Sequence, residues 1–166
     1  MGVRAAVEVG TLAVYSAIRM ARALGTGGRL ITIEVDEEHA SFARQRVLES
    51  DVADRIELRV GRGEDLLPEI PDMSADAVLV DADKVGYRAY LEQAWRILRP
   101  GGLLMADNAF AFGQILSDGP QEASVLAIRD FNDALAKDRR FRSIIVPIGD
   151  GLWVSVRQSQ SNTHVI

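Results

Sequence analysis

Short apolar runs alternate along the chain with longer stretches in which apolar residues recur every three or four positions. The runs 5–9, 29–34, 55–60, 76–80 and 103–106 predict buried strands. After the first of them, Leu12, Tyr15, Ile18, Ala21 and Leu24 fall at helical spacing, and Gly25 stands where a helix end favours glycine. Residues 37–50, 87–98 and 121–137 predict three more helices. Arg99-Pro100-Gly101-Gly102 is a stop-and-turn cluster, and 109–120 reads as a loop. Strands over 141–148 and 152–157 flank Gly149-Asp150-Gly151, which signals a hairpin. This order predicts an α/β fold: a doubly wound, seven-stranded, mostly parallel Rossmann-like sheet with an antiparallel C-terminal hairpin. One domain is expected over residues 1–158, with 159–166 as a C-terminal tail. No repeat or linker interrupts the pattern.

Composition narrows the chemistry. The chain has 166 residues and no cysteine, which removes disulfides, zinc-thiolate sites, iron–sulfur clusters and cysteine nucleophiles. A net charge of -5 offers no basic footprint for a phosphate backbone, so no nucleic-acid partner is expected. No apolar run approaches the roughly 20 residues of a membrane span. The residues after Met1 lack the pattern of a secretory signal or a myristoylation site. The expectation is a cytoplasmic protein without a membrane partner.

Ligands of open α/β sheets bind outside the carboxyl ends of the strands. Glu8 and Gly10 stand at the first strand's end, Glu34 at the second's, Asp81 at the fourth's with Asp83 and Lys84 behind it, and Asp107-Asn108 at the fifth's. One acid at a strand end is explained as a polar entry to a loop. Four strand ends offering carboxylates to one rim point to a ligand. An acid about 20 residues after a glycine turn can accept hydrogen bonds from ribose hydroxyls, and Glu34 follows Gly10 by 24. That pattern suits a nicotinamide cofactor or S-adenosylmethionine. Gly10-Thr11-Leu12-Ala13-Val14-Tyr15 has one glycine where a pyrophosphate loop needs three, which argues against the dinucleotide. No phosphate-cradling GxxxxGK[ST] loop occurs. Asp81, Asp107 and Asn108 are oxygen donors suited to Mg²⁺ or Ca²⁺, although Asp107-Asn108 is equally an Asx-type turn. Lys84 is a candidate general base, or else a solvated lysine opening a helix. Trp95 and Trp153 read as packing residues, while Phe110 and Phe112 are open between packing and stacking on an acceptor ring.

These residues resemble a known family. Val7-Glu8-Val9-Gly10-Thr11, Tyr15-Ser16-Ala17 and Ile33-Glu34-Val35-Asp36 are similar to motif I and its continuation in class I S-adenosylmethionine-dependent O-methyltransferases. Val80-Asp81-Ala82-Asp83-Lys84 with Tyr87 and Tyr90, Leu98-Arg99-Pro100-Gly101-Gly102, Ala106-Asp107-Asn108 and Pro147-Ile148-Gly149-Asp150-Gly151-Leu152 resemble the cation-dependent caffeoyl-CoA and catechol branch. The resemblance implies that Glu8, Gly10, Thr11 and Ser16 line the methionine end of the cofactor, that Glu34 binds its ribose, and that Gly63 and Asp83 approach it as well. It implies that Asp81, Asp107 and Asn108 hold a divalent metal, Mg²⁺ by family habit, and that Asp81 and Lys84 serve catalysis on a vicinal diphenol. A small aromatic hydroxyl compound is the expected partner, and the family's habit favours a homodimer. Two departures accompany it. Val14 stands where the family has glycine, with bulk expected near the cofactor's amino-acid end. The helices that precede the first strand in the family are also missing from the sequence. The rival readings are a truncated or non-catalytic methyltransferase-fold protein acting in binding or assembly, and a nicotinamide oxidoreductase, against which the absent glycines and absent Tyr-x-x-x-Lys pair both count.

Overall fold

The computed structural model describes residues 2–159. The rest of the expected tail, 160–166, and His164 within it lie outside the described residues. The sheet has seven strands in the order β3-β2-β1-β4-β5-β7-β6. They are β1 (Ala5–Val9), β2 (Arg29–Glu34), β3 (Ile56–Val60), β4 (Ala75–Val80), β5 (Leu98–Ala106), β6 (Phe141–Val146) and β7 (Leu152–Arg157). The first five pair in parallel, whereas β7 runs antiparallel between β5 and β6. The helices are α1 (Tyr15–Ala23), α2 (Glu37–Leu48), α3 (Gly63–Leu66), α4 (Tyr87–Ile97) and α5 (Ala123–Lys137).

Both faces of the sheet are covered, which is why its central strands are apolar nearly throughout. On one face Ala17, Ala21, Ala43 and Val47 of α1 and α2 pack on Ala6, Leu30 and Ala77. On the other, α4 buries Tyr87, Tyr90, Leu91, Ala94 and Ile97, a stripe at helical spacing, beside Ile128, Phe131 and Leu135 of α5. The Asp36 carboxylate starts α2 by accepting from the Glu38 and His39 amides at 2.8 and 2.9 Å.

Several element ends shift by one or two residues from the sequence pattern, and three further differences are structural. The first helix starts at Tyr15 rather than Leu12, because Leu12 and Val14 have φ of 41° and 64° and cannot be helical. The Arg99–Gly102 cluster does not precede β5 but bulges within it: Ala75 pairs with Leu98 and Ala77 with Leu103. The 109–120 loop contains a distorted 3₁₀ segment, Ala111–Leu116. The sequence pattern also assigned nothing over 61–74, where α3 and a 3₁₀ turn (Leu67–Glu69) lie.

The chain turns one way from β1 to β2 and β3, and the other way from β4 to β5. A crevice therefore opens at the carboxyl ends of β1 and β4. Register decides what stands there. Val9 pairs with Ile33 and with Val80, and Val80 with Ala106. The next residues, Glu34, Gly10, Asp81 and Asp107, consequently form one row across four strands.

Candidate functional site

Gly10 joins β1 to the turn with φ of 99°. A Cβ there would overlap the Asp81 carbonyl, so only glycine lets β1 and β4 exit side by side. The crevice is a cleft of about 260 Å³, walled by Gly10, Leu12, Glu34, Gly61, Gly63, Asp81, Asp83 and Tyr90 among others.

Glu34 is nearly buried, at 6% exposure, and its carboxylate is held from two sides. Leu12 N–H donates to Oε2 at 2.7 Å and Asp36 N–H to Oε1 at 3.0 Å. Each oxygen keeps a further lone pair for a ligand hydroxyl. At the opposite wall Tyr90 Oη donates to Asp83 Oδ1 at 2.6 Å, and Gly86 N–H to Asp83 Oδ2 at 2.9 Å. Burial and the Asp83 hydrogen bond both push the Tyr90 hydroxyl well above its ordinary value, so it stays a donor. A side chain at Gly63 would strike the Tyr90 ring and Val9, so the residue keeps that wall thin.

Glu8, Thr11 and Ser16 do not wall the cleft. Glu8 is fully buried on the α1 side of β1, where Thr32 Oγ1 donates to its Oε2 at 2.6 Å. Thr11 Oγ1 lies 2.6 Å from Thr32 Oγ1, extending the chain of hydroxyls. Burial raises the Glu8 carboxyl to about 7; the nearby Ser16 and Thr32 hydroxyls pull it down, and Asp81 and Glu34 push it up. Val14 also departs from expectation. Its side chain is 2% exposed and packs with Ala17, Ala21 and Leu30, away from the cleft.

Asp81, Lys84 and Asp107 meet around one buried phenol. Lys84 Nζ donates to Tyr87 Oη at 2.6 Å and lies 3.4 Å from Asp81 Oδ1. Tyr87 Oη stands 3.3 Å from the Val80 and Asp107 carbonyl oxygens, either of which accepts its proton. Burial, then the charges of Asp81, Asp107 and Asp83, hold this hydroxyl far above its ordinary value. Asp107 Oδ1 accepts from the Asn108 amide at 2.8 Å. Asp81 follows β4, and Asp107 and Asn108 follow β5; their carboxylate and amide oxygens are hard donors of the kind that Mg²⁺ or Ca²⁺ takes. Among the described residues no three His, Cys, Asp or Glu side chains form a metal-holding group.

A second cavity of about 150 Å³ opens beyond this cluster. Lys84, Asn108, Phe112 and Glu122 line it together with the apolar Ala111, Val125 and Ile128. Its wall is strained: Asn108, Ala111 and Phe112 have φ of 61°, 49° and 53°. Left-handed backbone costs about 1–2 kcal/mol at each non-glycine position. Asn132 on α5 pins the start of this loop, donating from Nδ2 to the Ala109 carbonyl at 2.8 Å while its Oδ1 accepts from Trp153 Nε1 at 2.7 Å. The sequence pattern did not single out Asn132, and took Trp153 as packing. No local signal links residues that meet only across the fold.

A family model described as O-methyltransferase matches residues 1–158. A catechol O-methyltransferase of Niastella koreensis is 40% identical over 132 residues, covering 78% of this chain and 60% of that protein. The chain thus spans three fifths of that relative's length. The solved O-methyltransferase from Bacillus cereus in complex with SAH superposes with a TM-score of 0.88 at 33% identity, over 95% of this chain and 74% of the other. TomG from Streptomyces achromogenes, an O-methyltransferase involved in tomaymycin synthesis and solved with SAM, gives 0.85 at 32% identity over 95% and 74%.

Proposed function

The chain belongs to the O-methyltransferase family, and from that premise we propose that it carries a methyl group from S-adenosylmethionine to a hydroxyl of a catechol-like small molecule, with a divalent cation, Mg²⁺, anchoring the acceptor. One observation carries this reading. The Asp81–Lys84–Asp107–Asn108 cluster lies between two cavities: Asp81 walls the cleft at the strand ends, and Lys84 and Asn108 wall the smaller cavity beyond. A donor and an acceptor held one on each side would face each other across it. The solved relatives with SAM or SAH support a cofactor in the first cleft, and the Niastella relative's name supports a diphenol in the second.

Each residue then has a task. Glu34, fixed by two backbone amides, accepts from the ribose hydroxyls. Gly10 lets the backbone approach the cofactor, and Gly63, Asp83 and Tyr90 form the opposite wall. Asp81, Asp107 and Asn108 would hold the cation, which supplies charge stabilisation to two adjacent phenolic oxygens. Lys84 in its amine form, held beside Tyr87 Oη, would take the proton from the attacking hydroxyl. The oxygen–carbon bond forms as the sulfonium carbon–sulfur bond breaks, leaving the thioether product. Positioning supplies most of the rate.

The test is calorimetric titration with S-adenosylmethionine with and without Mg²⁺, followed by methylation of catechol. Cofactor binding and a rate abolished by chelator and by Lys84→Ala, with the variant's cofactor affinity unchanged, are expected. A chelator-insensitive rate refutes the cation. Cofactor binding without turnover on any diphenol favours the non-catalytic alternative.

A further inference from the structure

The hairpin between β6 and β7 has no task in the reaction outlined above, yet it grips the strained loop that walls the second cavity. Gly151 O accepts from Ala109 N–H and Asp150 O from Phe110 N–H, both at 2.9 Å. The Asp150 side chain then reaches over to Phe112, whose single N–H is shared by Oδ1 and Oδ2 at 2.8 Å each. A charged acceptor thereby holds an amide at φ 53°, a conformation that a phenylalanine does not adopt freely. The fit is tight on the hairpin side too: a Cβ at Gly151 would strike the Phe110 ring. Phe112 itself is 76% exposed, so no burial of its own side chain keeps it there. Among the described residues the Asp150 carboxylate is hydrogen-bonded by the loop amide alone.

We propose that Asp150 is a positioning residue for the acceptor: by accepting the Phe112 amide it locks 108–112 into the shape that walls the second cavity and aims Asn108. It makes no contact with the cofactor cleft, so its influence is confined to one of the two cavities. This rests on the second cavity taking the acceptor, as proposed above, and extends that reading to the hairpin.

The test compares the full chain with Asp150→Ala and Asp150→Asn. Native-state hydrogen exchange reads the latch without any turnover. In Asp150→Ala the Phe112 amide should exchange about tenfold faster or more, the factor for losing one hydrogen bond to a charged acceptor. The Asp81 and Asp107 amides, bonded to Val9 and Val80, should keep their protection. Asp150→Asn retains one side-chain oxygen and should recover most of the Phe112 protection. With S-adenosylmethionine and catechol, Asp150→Ala should raise the acceptor KM by about tenfold on the same ground, with the cofactor Kd within about twofold. Unchanged exchange at Phe112, no recovery by asparagine, or a cofactor Kd rising in step with the acceptor KM would each overturn the proposal. A wild-type chain that methylates no diphenol sinks the proposed function instead, and the exchange result still decides whether Asp150 holds the loop.

Discussion

Replacing Glu8 by glutamine isolates the energetic effect of a buried carboxyl. Glu8 has no solvent exposure, and only Oε2 has a partner, the Thr32 hydroxyl at 2.6 Å; Oε1 has none. Burial is the largest cause of its raised value; Asp81 and Glu34 add to it, and the Ser16 and Thr32 hydroxyls oppose it. The carboxyl moves from 4.5 to about 7 on folding. A raised value means that the folded state binds the proton more tightly than the unfolded one. The resulting stabilisation is fully present below pH 4.5 and is lost as pH rises to about 7. The shift corresponds to about 3 kcal/mol. Glutamine is nearly isosteric, keeps an oxygen for Thr32 and does not titrate. The unfolding free energy of the wild type minus that of Glu8→Gln should therefore fall by about 3 kcal/mol between pH 4.5 and 8, most steeply near 6. Urea unfolding followed by circular dichroism at several pH values measures the difference, and groups common to both proteins cancel. A constant difference would refute the reasoning. A difference that grows with pH would mean that the hydroxyls outweigh burial and that the carboxylate is the native form.

Two other substitutions test the walls of the cleft. Val14→Gly relieves about 1–2 kcal/mol of left-handed strain but removes a buried side chain worth about 1.5–3 kcal/mol and loosens the unfolded chain. The variant should melt lower with cofactor affinity unchanged, and tighter cofactor binding in calorimetry would restore the view that Val14 crowds the cleft. Tyr90→Phe deletes a hydrogen bond to a carboxylate, costing about 1.5–3 kcal/mol in urea unfolding, and should weaken cofactor binding by freeing Asp83. Equal affinities would remove Asp83 from the cofactor wall.

Much of this fold was legible because the central strands are largely apolar runs, and β2, β4 and β5 end on or just before an acid, Glu34, Asp81 and Asp107. The predicted spans of β1, β2 and β7 coincide with the observed ones, and the Gly149-Asp150-Gly151 signal did mark the antiparallel hairpin. The gaps have physical causes. Helix α3 spans four residues, too few to show a period. The late start of α1 depends on positive φ at Leu12 and Val14, residue types that carry no turn signal. The face of a residue was also hidden wherever backbone twist decides it. Glu8 and Val14 were expected beside the cofactor, but both point to the α1 side. Asp150 belonged to a recognised turn, yet its carboxylate serves an amide 38 residues away, which no local pattern encodes.

The candidate site was legible for a different reason, which lies in register rather than in motif. A parallel sheet brings the carboxyl ends of its strands to one edge, so acids that end separate apolar runs become neighbours only if the pairing aligns their last apolar residues. Here it does: Ile33, Val9, Val80 and Ala106 pair in sequence across β2, β1, β4 and β5. Slipping β4 by one residue against β1 would move Asp81 out of the row and turn its buried residues to opposite faces, exchanging Val78 and Val80, which pack under α4 and α5, with Ala77 and Leu79. Those side chains differ in size, and the two helical layers are packed to fit them. The core that fixes the register therefore also fixes the spacing of Glu34, Gly10, Asp81 and Asp107. Changes made in that core, far from any ligand, should disturb both cavities together, whereas changes in the hairpin should disturb only the second.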